Sequence, residues 1–354
     1  MKKTILLIAL VVLVSGCTGT QIGVDDKETP IEVSYPGVSI TSFYPIVSTV
    51  NPGDPITFYS AAQNNGNFDA TNLKFILFNC GAATPLAGSD FTCNSEFVPN
   101  GIDRLERPNR DKGIPGDIVE KELILVAPTS LPKATTGQDF GLRVMYDYNT
   151  TGTQEALLSS YDNWLQKGGQ ISGYVLNSYS SPAPISLEIV APKTPIILQP
   201  DTTQTVSVAV NVKNSGGGSL EDNSFSAIRL KFDPAVLEPL SDGDVLDPSY
   251  DFDSMDGADT LLVTDSDKLK IIGSTKQWRS YDIMFTVKPT HSCIGTPTTV
   301  CSDYISESSC TEESGCNWDS TASNIIQDAT AFEASVEYTY MIDANARVSY
   351  APSR

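Results

Sequence analysis

The sequence predicts an all-β protein of two tandem antiparallel β-sandwiches, the second with a small disulfide-rich insertion. Three observations point there. Short runs rich in Val, Ile, Thr, Tyr and Phe alternate apolar and polar residues, the period-two signature of half-buried strands. Few segments carry helical periodicity, and Pro, Gly, Asn and Asp clusters separate the runs. The chain also repeats its own plan once, over a length that marks a duplicated domain and not a solenoid unit. Its 354 residues are enough for two domains, each able to bury a core.

Taken in order, the chain opens with Lys2 and Lys3, an apolar run from Ile5 to Val14, and then Ser15-Gly16 before Cys17. The apolar run is about half of the ~20 residues that a membrane-spanning helix needs. A basic start, a short apolar stretch and small residues describe a secretory signal peptide over residues 1–16. Cysteine placed directly after Val14-Ser15-Gly16 resembles the lipobox of prokaryotic lipoproteins. That resemblance implies a diacylglycerol thioether on Cys17, cleavage before it, and a chain held by lipid on the outer face of the cytoplasmic membrane or another envelope membrane. The competing reading is a plain signal peptide with a coincidental cysteine. Residues 17–30 are polar and aperiodic and read as lipid anchor and flexible tether.

Residues 31–180 form the first expected sandwich and residues 185–354 the second. "PITFYSAAQ", "NLKFILF", "KELILVA" and "FGLRVMYDY" are its strands in the first half; "TVSVAVNVKN", "YDIMFTV" and "FEASVEYTY" answer them in the second. Pro52 matches Pro200, Asn65-Gly66 matches Asn214-Ser215-Gly216, and Phe75 matches Leu230 or Phe232. Each half is expected to close on a tyrosine-rich hairpin, "LRVMYDYNTTGTQEALLSSY" in one and "ASVEYTYMIDANARVSY" in the other. The Ser/Pro-rich stretch from Ser178 to Pro184 reads as the linker between them.

Seven cysteines include Cys17 and leave six, an even number that in an exported chain reads as disulfides. Cys80 and Cys93 stand alone in the first half and are expected to bridge a loop. Cys293, Cys301, Cys310 and Cys316 crowd into the insertion at 291–320 and pair among themselves, with three connectivities open. A four-cysteine zinc site is the alternative, but its ligands normally come as tight C-x₂₋₄-C pairs, and these spacings are longer. The charge, −20 from 43 Asp+Glu against 23 Lys+Arg, does not fit nucleic-acid binding, which needs clustered Lys and Arg.

The stretch Val50 to Phe75, with its "V-x-P-G-D", "N-x-G" and "A-x-N-L-x-F" elements, resembles the Ig-like modules of prokaryotic surface proteins of the CARDB, cell-adhesion-related type. The resemblance covers the front half of each repeat and implies Ig-like sandwiches with an adhesive role. "IRLKFDPAVLEPLSDGDVL" (Ile228 to Leu246) is similar to the opening of cohesin modules, which dock partner proteins.

Candidate sites are few. His291 is the sole histidine, so Ser-His-Asp or Cys-His catalysis would have to use it, and it sits in "KPTHSC" without a nucleophile-elbow motif. Zinc-protease motifs that need two histidines are excluded. No enzyme is expected, and no cofactor beyond calcium. Asp242, Asp244, Asp247, Asp251, Asp253, Asp256 and Asp259 fill one expected loop, and calcium takes six to eight such oxygens. The EF-hand register fails there, and a solvated acidic loop is the plainer reading. Trp164 and Trp318 are candidate platforms for a sugar ring, although each is more often a packing anchor. Asn149-Thr150-Thr151 is a glycosylation sequon, expected in an exposed hairpin turn. The function expected is that of a surface structural or adhesion protein, with a glycan-binding or protein-docking module as the alternative.

Overall fold

In the computed structural model, residues 37–130, 137–169, 175–192, 194–198, 204–242, 245–271, 278–288, 292–295, 316–319 and 327–351 are described. Strands dominate. The first half supplies β1 (Val38–Pro45), β2 (Thr49–Val50), β3 (Pro55–Asn64), β4 (Thr71–Phe78), β5 (Thr84–Pro85), β6 (Glu96–Phe97) and β7 (Ile118–Val126). A 24-residue strand follows, β8 (Gly137–Ser160), and then a short helix, α1 (Tyr161–Gln166). The second half begins with β9 (Ser178–Ser180), β10 (Ile185–Val190), β11 (Ile196–Leu198), β12 (Gln204–Asn214), β13 (Ser219–Leu220), β14 (Ala227–Lys231) and β15 (Leu237–Pro239). It continues through β16 (Ser241–Asp242), β17 (Val245–Leu246), β18 (Ser254–Asp256), β19 (Thr260–Val263) and β20 (Trp278–Val287). Two strands, β21 (Ser292–Gly295) and β22 (Cys316–Asp319), pair in the insertion, and the chain closes on a second 24-residue strand, β23 (Gln327–Tyr350).

The period-two pattern places the core. Along β3, Ile56 and Phe58 are buried while Thr57 and Tyr59 alternate outward; β12 buries Val206, Val208, Val210 and Val212 in the same way. Two four-stranded antiparallel sheets result, ordered β1-β3-β7-β5 and β10-β12-β20-β15. Each packs on one large sheet of 11 strands, whose main path runs β18-β19-β14-β23-β8-β4-β6. In the first sandwich Phe58 of β3 meets Phe140 of β8 at 4.9 Å between ring centroids. In the second Phe285 of β20 meets Phe332 of β23 at 5.9 Å. The core is apolar and continuous from one sandwich into the other.

The two sandwiches share that sheet because β8 and β23 pair antiparallel over 23 consecutive residue pairs, from Gly137↔Ser349 to Ser159↔Gln327. A 24-residue strand spans roughly 80 Å, where the usual strand has about 5–6 residues. Each long strand serves both halves. The front of β8 pairs with β4, while its rear pairs with β9 and, in parallel, β11. Conversely the front of β23 pairs with β14, and its tail pairs in parallel with β2. The boundary at 180–185 therefore divides the chain but not the sheet.

This corrects the two expected hairpins. "NTTG" at 149–152 has turn chemistry, yet it runs straight. Thr150 points inward, donating to the Ile185 carbonyl at 3.0 Å and meeting the Tyr338 hydroxyl at 2.9 Å. Gly152 is glycine because β10 lies close: a Cβ there would stand 2.7 Å from a Leu187 methyl. Asn149 consequently lies in mid-strand opposite Glu337, half-buried, and its side-chain oxygen has no hydrogen-bond partner. The exposed turn expected for the sequon does not exist.

At the centre of the pairing sit four buried tyrosines. Tyr146 faces Tyr340 and Tyr148 faces Tyr338, with ring centroids 6.0 and 6.3 Å apart. Each sandwich hangs an asparagine turn on this cluster. Asn64 accepts from the Gly66 N–H and donates to the Phe68 carbonyl, while the Phe68 N–H donates to the Tyr148 hydroxyl. Asn214 accepts from the Gly216 N–H and donates to the Gly218 carbonyl, while the Gly218 N–H donates to the Tyr340 hydroxyl. The repeat seen in the sequence is thus a structural duplication about this cluster. A Cβ on Gly66 or Gly216 would collide with the Tyr148 or Tyr340 hydroxyl, whereas one on Gly217 meets nothing within 4 Å. Gly66→Ala and Gly216→Ala should each cost about 2–4 kcal/mol through overpacking and the broken tyrosine bond. Gly217→Ala should stay within about 0.5 kcal/mol. Chemical denaturation of the three variants decides it; equal midpoints would refute the clash.

Candidate functional site

Along one side of β8 the large sheet has a gap. β4 leaves β8 at Asp147, and β9 joins it only at Gly152. A cleft of about 670 Å³ opens there, walled by the turn at 67–69, the loop at 104–111, Thr151 of β8, and Tyr179 and Ser181 at β9. Its floor is tied together by Thr151 and Ser181: the Ser181 N–H donates to the Thr151 carbonyl at 2.8 Å, and the Thr151 N–H donates to the Ser181 hydroxyl at 3.0 Å.

The 104–111 wall is held in shape from several sides. Leu105 exchanges two backbone bonds with Ala70, at 3.0 and 2.9 Å, and its side chain is buried. Glu106 donates its N–H to the Asp117 carboxylate and accepts from the Asp117 N–H. Asn109 caps the turn at Lys112 and exchanges two backbone bonds with Ile114. Asp69 completes the frame, accepting from the Arg104 guanidinium and from the Arg107 N–H. Burial pushes the Asp69 carboxyl up, but the Arg107 and Arg104 bonds and their charges outweigh it and hold it below the usual range. The stabilisation it provides is therefore present above about pH 4 and fades as pH falls through the lowered value.

Three guanidinium groups, Arg104, Arg107 and Arg110, line the cleft together with Asp69, Glu106 and Asp111. Arg107 donates from Nη1 to the Asn67 carbonyl at 3.1 Å, and Arg110 reaches the Asn65 carbonyl at 3.5 Å. Among the described residues Arg107 forms no ion pair. Asn67, Asn109 and Thr151 add amide and hydroxyl groups, and the Tyr179 ring stands 55% exposed at the rim. Sequence reasoning passed over this cleft. Its trace was there in "RLERPNR", which holds three of the chain's eight arginines in seven residues.

The residues singled out from sequence lie elsewhere. Asp253 accepts from the Thr264 N–H and hydroxyl and from the Asp265 N–H, at 2.8–3.0 Å. Burial raises its carboxyl, and these bonds more than offset that. Asp247 accepts from the Ser249 hydroxyl and N–H, which lower its pKa. Asp251 accepts from the Asp282 N–H and sits 3.8 Å from Arg279, and Asp259 pairs with Lys231 at 3.6 Å. Asp256 is exposed on β18. Among the described residues no three His, Cys, Asp or Glu converge as metal ligands. Asp244 and the side chain of Asp242 lie outside the described residues, as do Cys17, Cys301, Cys310 and His291.

Cys80 and Cys93 are joined, closing a loop of 13 residues' separation that contributes about 3 kcal/mol by restricting the unfolded chain. In the insertion the backbones of Cys293 and Trp318 face each other, as do those of Gly295 and Cys316, while the side chains there lie outside the described set. Trp164 is half-buried in α1, a six-residue helix, and stacks on Tyr161 with ring centroids 5.9 Å apart. Among the described residues no helix is long and apolar enough to cross a membrane.

No family model matches the chain, and no curated protein matches it. Among solved structures it is similar to the collagen adhesin (CNA) from S. aureus, at 9% identity over 90% of this chain and 97% of that one, with a TM-score of 0.14. A likeness of that degree decides neither fold nor function.

Proposed function

We propose that this chain is a lipid-anchored surface protein with a structural or adhesive role, presenting Ig-like sandwiches to a partner outside the membrane. The observation that carries this reading is the shared sheet. A protein tethered at one end and gripped by a partner is loaded in tension, and domains joined only by a linker would each have to resist that load alone. Here 23 antiparallel residue pairs bridge the halves, so load passes through backbone hydrogen bonds sheared along two strands. The lipobox-like Cys17 supplies the tether. The alternative, a module that binds a glycan or docks a protein, is favoured by the polar cleft beside β8.

The test is made in the native host with the full chain and with Cys17→Ser. Mass spectrometry is expected to find the thioether lipid on Cys17, and protease added to whole cells should digest the chain. Attachment of cells to one another or to a surface should drop when Cys17→Ser releases the protein. A cytoplasmic chain with an intact N-terminus would overturn the reading.

A further inference from the structure

We propose that the cleft between the 104–111 loop and β9 binds an acidic saccharide, a hydroxyl-rich ring bearing a carboxylate or sulfate. This rests on the reading of the chain as a surface-binding protein and names what the surface takes. Three features of the cleft carry it.

The first is charge. The chain as a whole is −20, and a uniformly acidic surface would repel an anion. The cleft instead sets three guanidinium groups against three carboxylates, and Asp69 is already committed to Arg104 and the Arg107 backbone. The Arg107 guanidinium bonds to a neutral carbonyl and forms no ion pair among the described residues, its charge acting on Asp69 from a distance. A guanidinium offers five N–H donors in a flat fork, matched to an oxyanion's two oxygens.

The second is the rest of the lining. Asn67 and Asn109 present amides that can donate and accept, Glu106 and Asp111 present carboxylates that accept from ring hydroxyls, and Tyr179 offers an exposed ring face at the rim. Apolar lining is confined to Phe68 and Pro108. Arginines also recognise acidic peptides, but the cleft's own carboxylates, Asp69, Glu106 and Asp111, oppose a dense run of acidic side chains, and its amides and exposed Tyr179 ring suit a ring of hydroxyls that carries a single anion.

The third is preorganisation. The loop that carries the arginines is fastened to Ala70, Asp69 and Asp117 before any ligand arrives. Gly116 lies so close to the end of β3 that a Cβ would collide with the Asn64 carbonyl. Ordering that is already present is not charged against binding.

The test uses the full chain, purified in mild detergent, and titration calorimetry. The probes are oligogalacturonate, a heparin-derived oligosaccharide, a carboxyl-reduced neutral counterpart and polyglutamate. At least one of the first two should bind, which of them telling carboxylate from sulfate, and the neutral counterpart should bind about tenfold more weakly. Arg107→Gln should weaken binding about tenfold, with Arg107→Lys between the two, since it keeps charge but loses the fork. Tyr179→Ala should weaken it several-fold, and thermal melting should show all variants folded. No binding of either acidic saccharide, equal binding of polyglutamate, or an unaltered Arg107→Gln would each overturn the proposal. If cells still lose attachment with Cys17→Ser while no saccharide binds, only the site assignment falls; binding by a chain that carries no lipid leaves the site and removes the anchor.

Discussion

A chain that stops at Glu337 loses its first sandwich, although every deleted residue comes from the far end of the sequence. Residues 338–350 of β23 pair with the front of β8 and pack under β1. They bury Val348 and Tyr350 against the first half, and Tyr338 and Tyr340 in the tyrosine cluster that both halves share. Losing one buried aromatic side chain costs about 3–5 kcal/mol, and a whole domain has about 5–15 kcal/mol to lose. Removing three tyrosines and a valine together exceeds that. A fragment of residues 31–180 lacks the same strand and should fail in the same way. Calorimetry of the intact chain should show one transition for both sandwiches, and hydrogen exchange in the truncated chain should show β3 and β7 unprotected. A truncated chain whose β3 and β7 amides stay protected would show that the halves fold independently.

Raising the pH above about 10, the ordinary phenol range, should unfold the protein in a steep step. Burial pushes up the pKa of Tyr146, Tyr148, Tyr338 and Tyr340, in the case of Tyr148 to about 12. The sign follows from which state holds the protons. A folded-state value raised above the unfolded one gives stability that is complete below the unfolded value and is lost as pH climbs beyond it. Each phenol that ionises only on unfolding takes away up to ~1.4 kcal/mol per pH unit, and four act together here. The last part of the tyrosinate absorbance, that of the four buried phenols, should therefore rise together with the loss of structure. Phenylalanine at Tyr146 and Tyr338 should make the step shallower. Solvent-exposed phenols ionise in the ordinary range while the fold is intact; absorbance that reaches the full count of 14 tyrosines there while the fold persists would show the four buried hydroxyls to be solvated.

Much of this was legible beforehand. The alternating runs of β3, β7, β12 and β20 are strands with the expected faces buried, because period two is a local property of each segment. Cys80 and Cys93 are bonded as their isolation in the first half implied. The duplication was visible in its turns, and its exact register was not. Phe75 stands opposite Val144, and the residue on β23 that corresponds to Val144 through the tyrosine pairs is Val336, which stands opposite Ile228. Neither Leu230 nor Phe232, two and four residues further along, is the counterpart. "NTTG" and "IDANA" carry turn residues, and a strand already paired along its whole length overrode that preference. The arginine cleft was missed because its walls come from the loop at 104–111, the turn at 67–69 and β9, which only folding brings together.

By itself the sequence determined that this is a strand-built, acidic chain repeated once, with its apolar faces already chosen. Only the tertiary structure decided that the last strand of each half reaches into the other and that a cleft opens where the neighbours of β8 change. The reason is physical: alternation says which face of a strand is buried, but a strand's backbone groups accept any edge that offers hydrogen bonds in register. Which edge that is depends on where every other strand has gone.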